Sequence, residues 1–374
     1  MRADPFMTGS QNTLGTTPPA VEGPDPVVLA EQALLGALLL DPQQTRTVHE
    51  WLAAQNFYRA AHRALYQALV DQFRAGHPAL APHPGKEEAL AWLTDAVATA
   101  SRTTRGISPS YPHTLAAACP RSDHAPVYGR MVVEAALQRT VAEHATRMLT
   151  SAQTTLAAGG EARILLTHLD ILTEVLDQLG RLAGVPRPGH GADQSAPGLG
   201  EPAVVNGSVE QLGQDLLAEE EMLLGTLLQT PQVIGEMAVW LRPADFADPG
   251  LGAVFSLLVA LHRNGRAIDQ VTLLWEARRR GLLTDQVLTV ERILGLVPAP
   301  GDPAFGGEIV ARRALARTAS AAAWQVRDFA ATMPPSRLVP RALALLAPVQ
   351  QARQRWQAAT APAAERVQSF RARR

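Results

Sequence analysis

The sequence predicts an all-α fold made of two tandem helical domains, each a small helical head followed by a long αα-hairpin. Three observations lead there. The stretch AEQALLGALLLDP at 30–42 returns as EEEMLLGTLLQTP at 219–231, and the register holds at an offset of 189, ungapped, from Glu31–Gly76 to Glu220–Gly265. Identities in that span include Gly36/Gly225, Pro42/Pro231, Trp51/Trp240, Phe57/Phe246 and Gly76/Gly265. Their period is domain-sized, so they mark a duplication rather than a short solenoid repeat. Apolar residues recur at helical spacing between capping and stop signals, and no alternating strand pattern of useful length occurs.

Residues 1–26, rich in Pro, Gly and Thr, read as a disordered leader. Three helices are expected from about 27 to 77. In the first, Leu34, Leu35, Leu38 and Leu39 share a face. Gly36 and Gly225 stand inside this helix in both copies, where glycine costs about 1 kcal/mol relative to alanine; close helix–helix approach is the expected compensation. Asp41-Pro42 reads as an N-cap and first-turn proline opening a second helix towards Trp51, and Thr230-Pro231 repeats the device. The third helix carries Leu65, Tyr66, Leu69, Val70 and Phe73 and stops at Gly76; Val254, Phe255, Leu258, Val259 and Gly265 match it. His62 falls on this helix, where a polar face is expected. Leu35, Leu39, Trp51, Phe57 and Leu69, with Leu224, Leu228, Trp240, Phe246 and Leu258, are the predicted core anchors.

The copies then diverge. Copy one reads HPALAPHPGKEEALAWL (77–93), Pro-rich and then helical; copy two reads IDQVTLLWEARRRGLL (268–283), with Asp269 as an N-cap. Alignment recovers at an offset of 178, GRMVVEAALQRT (129–140) against GEIVARRALART (307–318). Long helices follow at 127–157 and 305–332, then breaks at Gly159-Gly160 and Pro334-Pro335, then second helices at 161–182 and 336–357. The expected domain map is therefore copy one at 27–184, a flexible Pro/Gly/Ala-rich linker at 185–209, copy two at 210–357 and a basic tail at 358–374.

With a net charge of −1, no strong bulk attraction to nucleic acid or anionic membrane is expected. A single cysteine, Cys119, excludes an intrachain disulfide and fits a reducing, cytoplasmic setting. No apolar run reaches the roughly 18 residues of a membrane span. Lys86 is the sole lysine, and the arginine excess is read as coding bias rather than nucleic-acid recognition.

The order AEQALLGALLLDP, WL, NFYRAAHRALYQAL and a helical hairpin resembles the N-terminal, non-motor domain of the DnaB-type bacterial replicative helicase, present here in two copies. The resemblance implies a helical head and hairpin that assemble the helicase collar and dock primase or a loader. It thus implies partners among replicative helicase, primase and loader, together with self-association or an internal pseudo-dimer. That family's motor needs a phosphate loop G-x-x-x-x-G-K-[ST]. Here Lys86 follows Gly85, but no glycine stands five residues before Gly85, and Glu87 replaces the hydroxyl residue. Only a short tail follows copy two. Neither ATP hydrolysis nor unwinding is expected, and no cofactor is called for.

No catalytic or metal site is read from the sequence. His77, His83, His113, Cys119 and His124 match no zinc-ligand spacing and are expected to be solvated loop residues. Glu219-Glu220-Glu221 is expected at a helix start, favoured by the dipole. The hairpin stripes are the expected association surfaces, with Met131, Leu137, Val141, Leu172, Leu176, Ile309 and Leu315 as candidates; pairing of hairpins, within or between chains, is the favoured use. Arg278, Arg279, Arg280, Arg312, Arg313 and Arg317 are candidate phosphate contacts, weakened by the lack of interleaved aromatics for base stacking. Three functions compete: a non-catalytic adaptor of the replication machinery, a nucleic-acid-binding protein using the copy-two arginines, and a helicase subunit, which the missing phosphate loop disfavours.

Overall fold

The computed structural model describes residues 25–108, 110–158, 162–185, 209–283, 288–297 and 299–361. Nearly all of the expected leader and of the linker, most of the basic tail and the Gly159-Gly160 break lie outside them; Asp25 and Pro26, the end of the expected leader, begin the first helix. Among the described residues the secondary structure is helical apart from an isolated bridge between Leu283 and Leu288. In chain order the helices are α1 (Pro26–Leu40), α2 (Thr45–Val48), α3 (Ala60–Arg74), α4 (Lys86–Thr103), α5 (Tyr111–Ala117), α6 (Ala125–Ala158) and α7 (Ala162–Leu182). Then come α8 (Val209–Gln229), α9 (Ile234–Met237), α10 (Pro249–Arg263), α11 (Gln270–Arg279), α12 (Val290–Leu294), α13 (Pro303–Thr332) and α14 (Pro335–Thr360). None of the described helices is long and apolar enough to cross a membrane.

The chain forms two compact units, Met1–Val132 and Val133–Arg374. They do not coincide with the sequence copies. The boundary falls inside α6, so most of the first hairpin belongs with the whole of copy two. The physical reason is a core shared by α6, α7, α13 and α14.

The first unit is the head of copy one. Asp25 caps α1 by accepting from the Val27 N–H at 2.9 Å, and Pro26 occupies the first helical position. Leu34, Leu35, Leu38 and Leu39 are all buried, beside α3 and α5. Asp41 accepts from Gln43 N–H at 3.1 Å, as an N-cap should, although the helical piece it opens ends at Val48. The counterpart Thr230 does not cap: its hydroxyl donates back to the Thr226 carbonyl at 2.8 Å. Gly76 and Gly265 both stop their helices with left-handed backbone, at φ +69° and +59°.

Gly36 explains itself by a close approach: a Cβ there would lie 2.1 Å from the Leu115 carbonyl of α5. At Gly225 the approaching group is the Val297 carbonyl at 2.3 Å, from an irregular segment rather than a helix. A second matched contact joins each head to the start of its hairpin. The Trp51 ring lies against Gly129 and the Trp240 ring against Gly307, so the glycines aligned in the hairpins receive the tryptophans aligned in the heads.

Nine of the ten predicted anchors are buried. Trp51 corrects the expectation: it is 43 % exposed, whereas Trp240 is 4 % exposed. Met237, counterpart of the shorter Val48, reaches Gly307 beside Trp240, whereas the atoms nearest Gly129 all belong to Trp51. The Trp51 indole N–H instead donates locally to the Thr47 carbonyl at 2.8 Å.

Candidate interaction site

Two features stand out in the second unit and in the heads: a core made by pairing the two hairpins, and a buried carboxylate that each head repeats. The hairpin core follows from helical stripes. On α7, Leu165, Leu169, Leu172, Leu176 and Leu179 recur at intervals of three and four and are all buried. Helix α7 packs chiefly on α14, whose Leu338, Leu345, Leu346 and Val349 are buried in the same core, and α13 packs on α14 with Ala319, Ala322, Ala323 and Ala330, whose small side chains permit close packing. Polar contacts set the alignment. Gln138 of α6 donates to the Ala330 and Met333 carbonyls, each at 2.9 Å, occupying acceptors that the end of α13 leaves without helical partners. Arg353 of α14 pairs with Asp170 of α7. Inside the first hairpin, His144 and His168 face each other with Nδ1 atoms 3.4 Å apart. Burial lowers the pKa of both, and the nearby Arg147 charge adds to it.

Of the association candidates, Val141, Leu172, Leu176 and Leu315 lie in this shared core, and Leu137 packs against it. Ile309 is half-buried outside it, and Met131 is exposed.

The heads carry a feature that the sequence reading passed over. Glu31, fully buried on the apolar α1, accepts from the Tyr58 and Arg59 backbone N–H groups just before α3. Glu220 repeats this at the start of α10, accepting from Ala247 N–H at 2.5 Å and Asp248 N–H at 3.3 Å. In both copies one carboxylate neutralises two backbone donors and ties two helices together. The signal was present in the sequence, as a glutamate kept in register inside two apolar runs. Burial raises the Glu220 pKa, against the lowering effect of those two N–H bonds. The expected dipole role of Glu219–Glu221 does not apply, because α8 starts at Val209 and places them well inside the helix. Glu219 pairs with Arg313, and Glu221 lies 3.8 Å from Arg292.

In copy one the clasp is extended. His62 is fully buried rather than on a polar face; its Nδ1 is 2.6 Å from Glu31 and its Nε2 2.6 Å from the Tyr111 hydroxyl. This joins α1, α3 and α5. With Glu31 and His62 sealed from solvent, the cluster is a structural tie rather than an acid–base site. Copy two has Leu251 at the His62 position and uses other ties: Asp245, buried, accepts a two-pronged bond from Arg355 of α14 at 2.8–3.1 Å. Another expected loop histidine is also structural. His77 accepts from the Ala79 N–H at 3.1 Å, and its ring meets Trp92 edge-on at 5.4 Å.

The six candidate arginines do not form one patch. Arg317 donates to the Asp245 carbonyl at 2.5 Å, and Arg313 pairs with Glu219. Arg312 is half-buried on the same helix. Arg279 and Arg280 bond Glu276 at 3.2 and 3.0 Å, and Arg278 lies over the Trp275 ring at 5.6 Å.

Comparison with known proteins matches the two head segments, as far as the start of α6 and the residue before α13. The family model described as "DnaB-like helicase N terminal domain" matches residues 25–134 and again 214–302. The chain is 34% identical over 127 residues to the replicative DNA helicase DnaB of Mycobacterium leprae (strain TN), a match covering 32% of this chain and 18% of the relative. It is 34% identical over 116 residues to the same-named protein of Treponema pallidum (strain Nichols), covering 30% and 24%. For that of Geobacillus stearothermophilus the identity is 31% over 123 residues, covering 33% and 25%. The matched stretch is thus a quarter or less of each of these relatives.

Proposed function

Because the chain belongs to the family of DnaB-like helicase N-terminal domains, we propose that it is a non-catalytic interaction protein of DNA replication, an adaptor that binds a replicative helicase, its primase or its loader. The observation that carries this is the pairing of hairpins within one chain. The resemblance implies hairpins that pair between helicase subunits; here two hairpins bury their stripes against each other in one core. The chain then acts as an internal pseudo-dimer, with the stripes occupied and the surfaces of the heads left to meet a partner. The nucleic-acid reading has less support, since Arg279, Arg280, Arg313 and Arg317 bond groups of the protein itself.

Affinity-tagged full-length chain, mixed with purified cognate helicase, primase or loader, tests the proposal. A complex that survives moderate salt is expected, with no nucleotide-dependent unwinding by the chain alone. The reading fails if none of the three is captured at tens of micromolar, or if DNA binding with a steep salt dependence is the dominant association.

A further inference from the structure

The two copies use the element after the third head helix differently. In copy one that element is α4, whose Trp92 is fully buried and donates its indole N–H to the Leu38 carbonyl at 3.0 Å. In copy two it is α11, whose Trp275 is 60 % exposed beside Val271 at 72 %. Val271, Trp275 and Arg278 stand at i, i+4 and i+7, one face of the helix. Neighbouring α12 adds exposed Val290 and Leu294, and Gln270 holds the two elements together by donating to the Leu296 carbonyl at 2.5 Å. A mostly apolar cleft of about 540 Å³ opens here, lined by Val271, Leu274, Trp275 and Val290 among others. An exposed tryptophan with an arginine stacked on it is the composition of an interface anchor.

The charges around the cleft say what should cover it. Glu276 is the carboxylate at its wall, and Arg266, Arg279 and Arg280 all bond it, at 3.5, 3.2 and 3.0 Å. Three guanidinium groups share one carboxylate, and Arg278 adds a fourth cation on the apolar rim. Even with Asp269 and Glu291 on the same two elements, the surroundings carry net positive charge although the whole chain is near neutral. The apolar residues are presented by two helices rather than by a strand edge, which suits a helix laid in a groove.

We propose that the α11–α12 face of copy two is a docking groove for an acidic amphipathic helix of a partner protein. Apolar side chains at helical spacing would fill the cleft around Trp275, and flanking carboxylates would meet Arg278 and the guanidinium groups around Glu276. The inference rests on reading the chain as an interaction protein and adds which surface is used and what chemistry it selects.

The test uses full-length chain and three fluorescein-labelled probes: an 18-residue amphipathic peptide with leucines on one face and glutamates on the other, the same peptide with lysines for glutamates, and a dT oligonucleotide. Saturable binding of the acidic peptide is expected, at least tenfold tighter than the lysine peptide. Trp275→Ala and Val271→Asp, both at exposed positions, should weaken it tenfold or more with unchanged circular dichroism. Arg278→Glu should weaken it while improving the lysine peptide. The proposal is overturned if the acidic peptide shows no saturable binding to 1 mM, if both peptides bind alike, or if Trp275→Ala leaves binding unchanged. It is also overturned if the oligonucleotide alone binds and loses affinity in Arg278→Glu. A chain that takes the acidic peptide through Trp275 yet captures no helicase, primase or loader would keep the groove and sink the adaptor reading.

Discussion

Trp51 and Trp240 occupy matched positions and each rests on a matched glycine, yet their exposure differs about tenfold, 43 % against 4 %. Truncation should expose that difference. Trp240→Ala is expected to cost about 3–5 kcal/mol, and Trp51→Ala about 1 kcal/mol, since half of its ring faces water already. Urea denaturation of the two variants measures this, and equal losses would contradict the packing described. Gly36 gives a second residue-scale expectation. Alanine should gain about 1 kcal/mol in helix propensity. It would also place a Cβ against the Leu115 carbonyl, an overpacking cost of about 1–3 kcal/mol. Gly36→Ala should therefore be destabilised on balance; a variant more stable than the parent would show that α5 yields freely. What sequence reading grasped at this scale was that both glycines were kept for closeness. It could not name the approaching group, a helix carbonyl in one copy and an irregular segment in the other, because chain-distant contacts leave no periodic trace.

At the scale of elements, the first hairpin carries its own pH response. His144 and His168 both have pKa values below the ordinary 6.5 through burial and the Arg147 charge; each histidine also faces the other, and Glu143 partly offsets the effect at His144. The unfolded chain therefore binds protons more readily than the folded one. The stability linked to this pair is fully present above pH 6.5 and is lost as pH falls below it. Urea midpoints measured at pH 7.5 and 5.5 should show a fall that His168→Phe reduces. An unaltered pH dependence in that variant would mean the pair does not sense pH. The hairpin limits were legible to within a few residues, as caps, Pro-Pro and the apolar stripes all act locally. The glutamate clasps were legible only as a glutamate repeated in register, since the backbone N–H groups they neutralise lie 27 and 28 residues further on and leave no local mark.

For the whole molecule, the shared hairpin core predicts how a nicked chain behaves. A protease site inserted at about residue 195, then cleaved, should leave two fragments that co-elute at tens of micromolar. Leu176 sits in the middle of that core, so Leu176→Ala, with an expected cost of about 2–5 kcal/mol, should weaken their association. Fragments that separate on a sizing column would show that the core does not hold once the chain is cut. The same core moves the division into compact units away from the Pro/Gly-rich segment and into α6.

The sequence by itself determined the helical class, the duplication, most helix limits and the relation to helicase N-terminal domains. Those properties are written in periodicity, capping residues and register, which act over a few residues or are repeated in the chain. Only the tertiary structure decided which partner each apolar stripe chose, which of two matched tryptophans was covered, and which arginines were occupied by carboxylates. Burial and ion pairing depend on groups far apart in the chain: Gln138 reaches carbonyls almost 200 residues away, and Arg355 reaches an aspartate 110 residues before it. A stripe specifies that something must cover it, whereas the shape and charge of what is brought to it settle the choice.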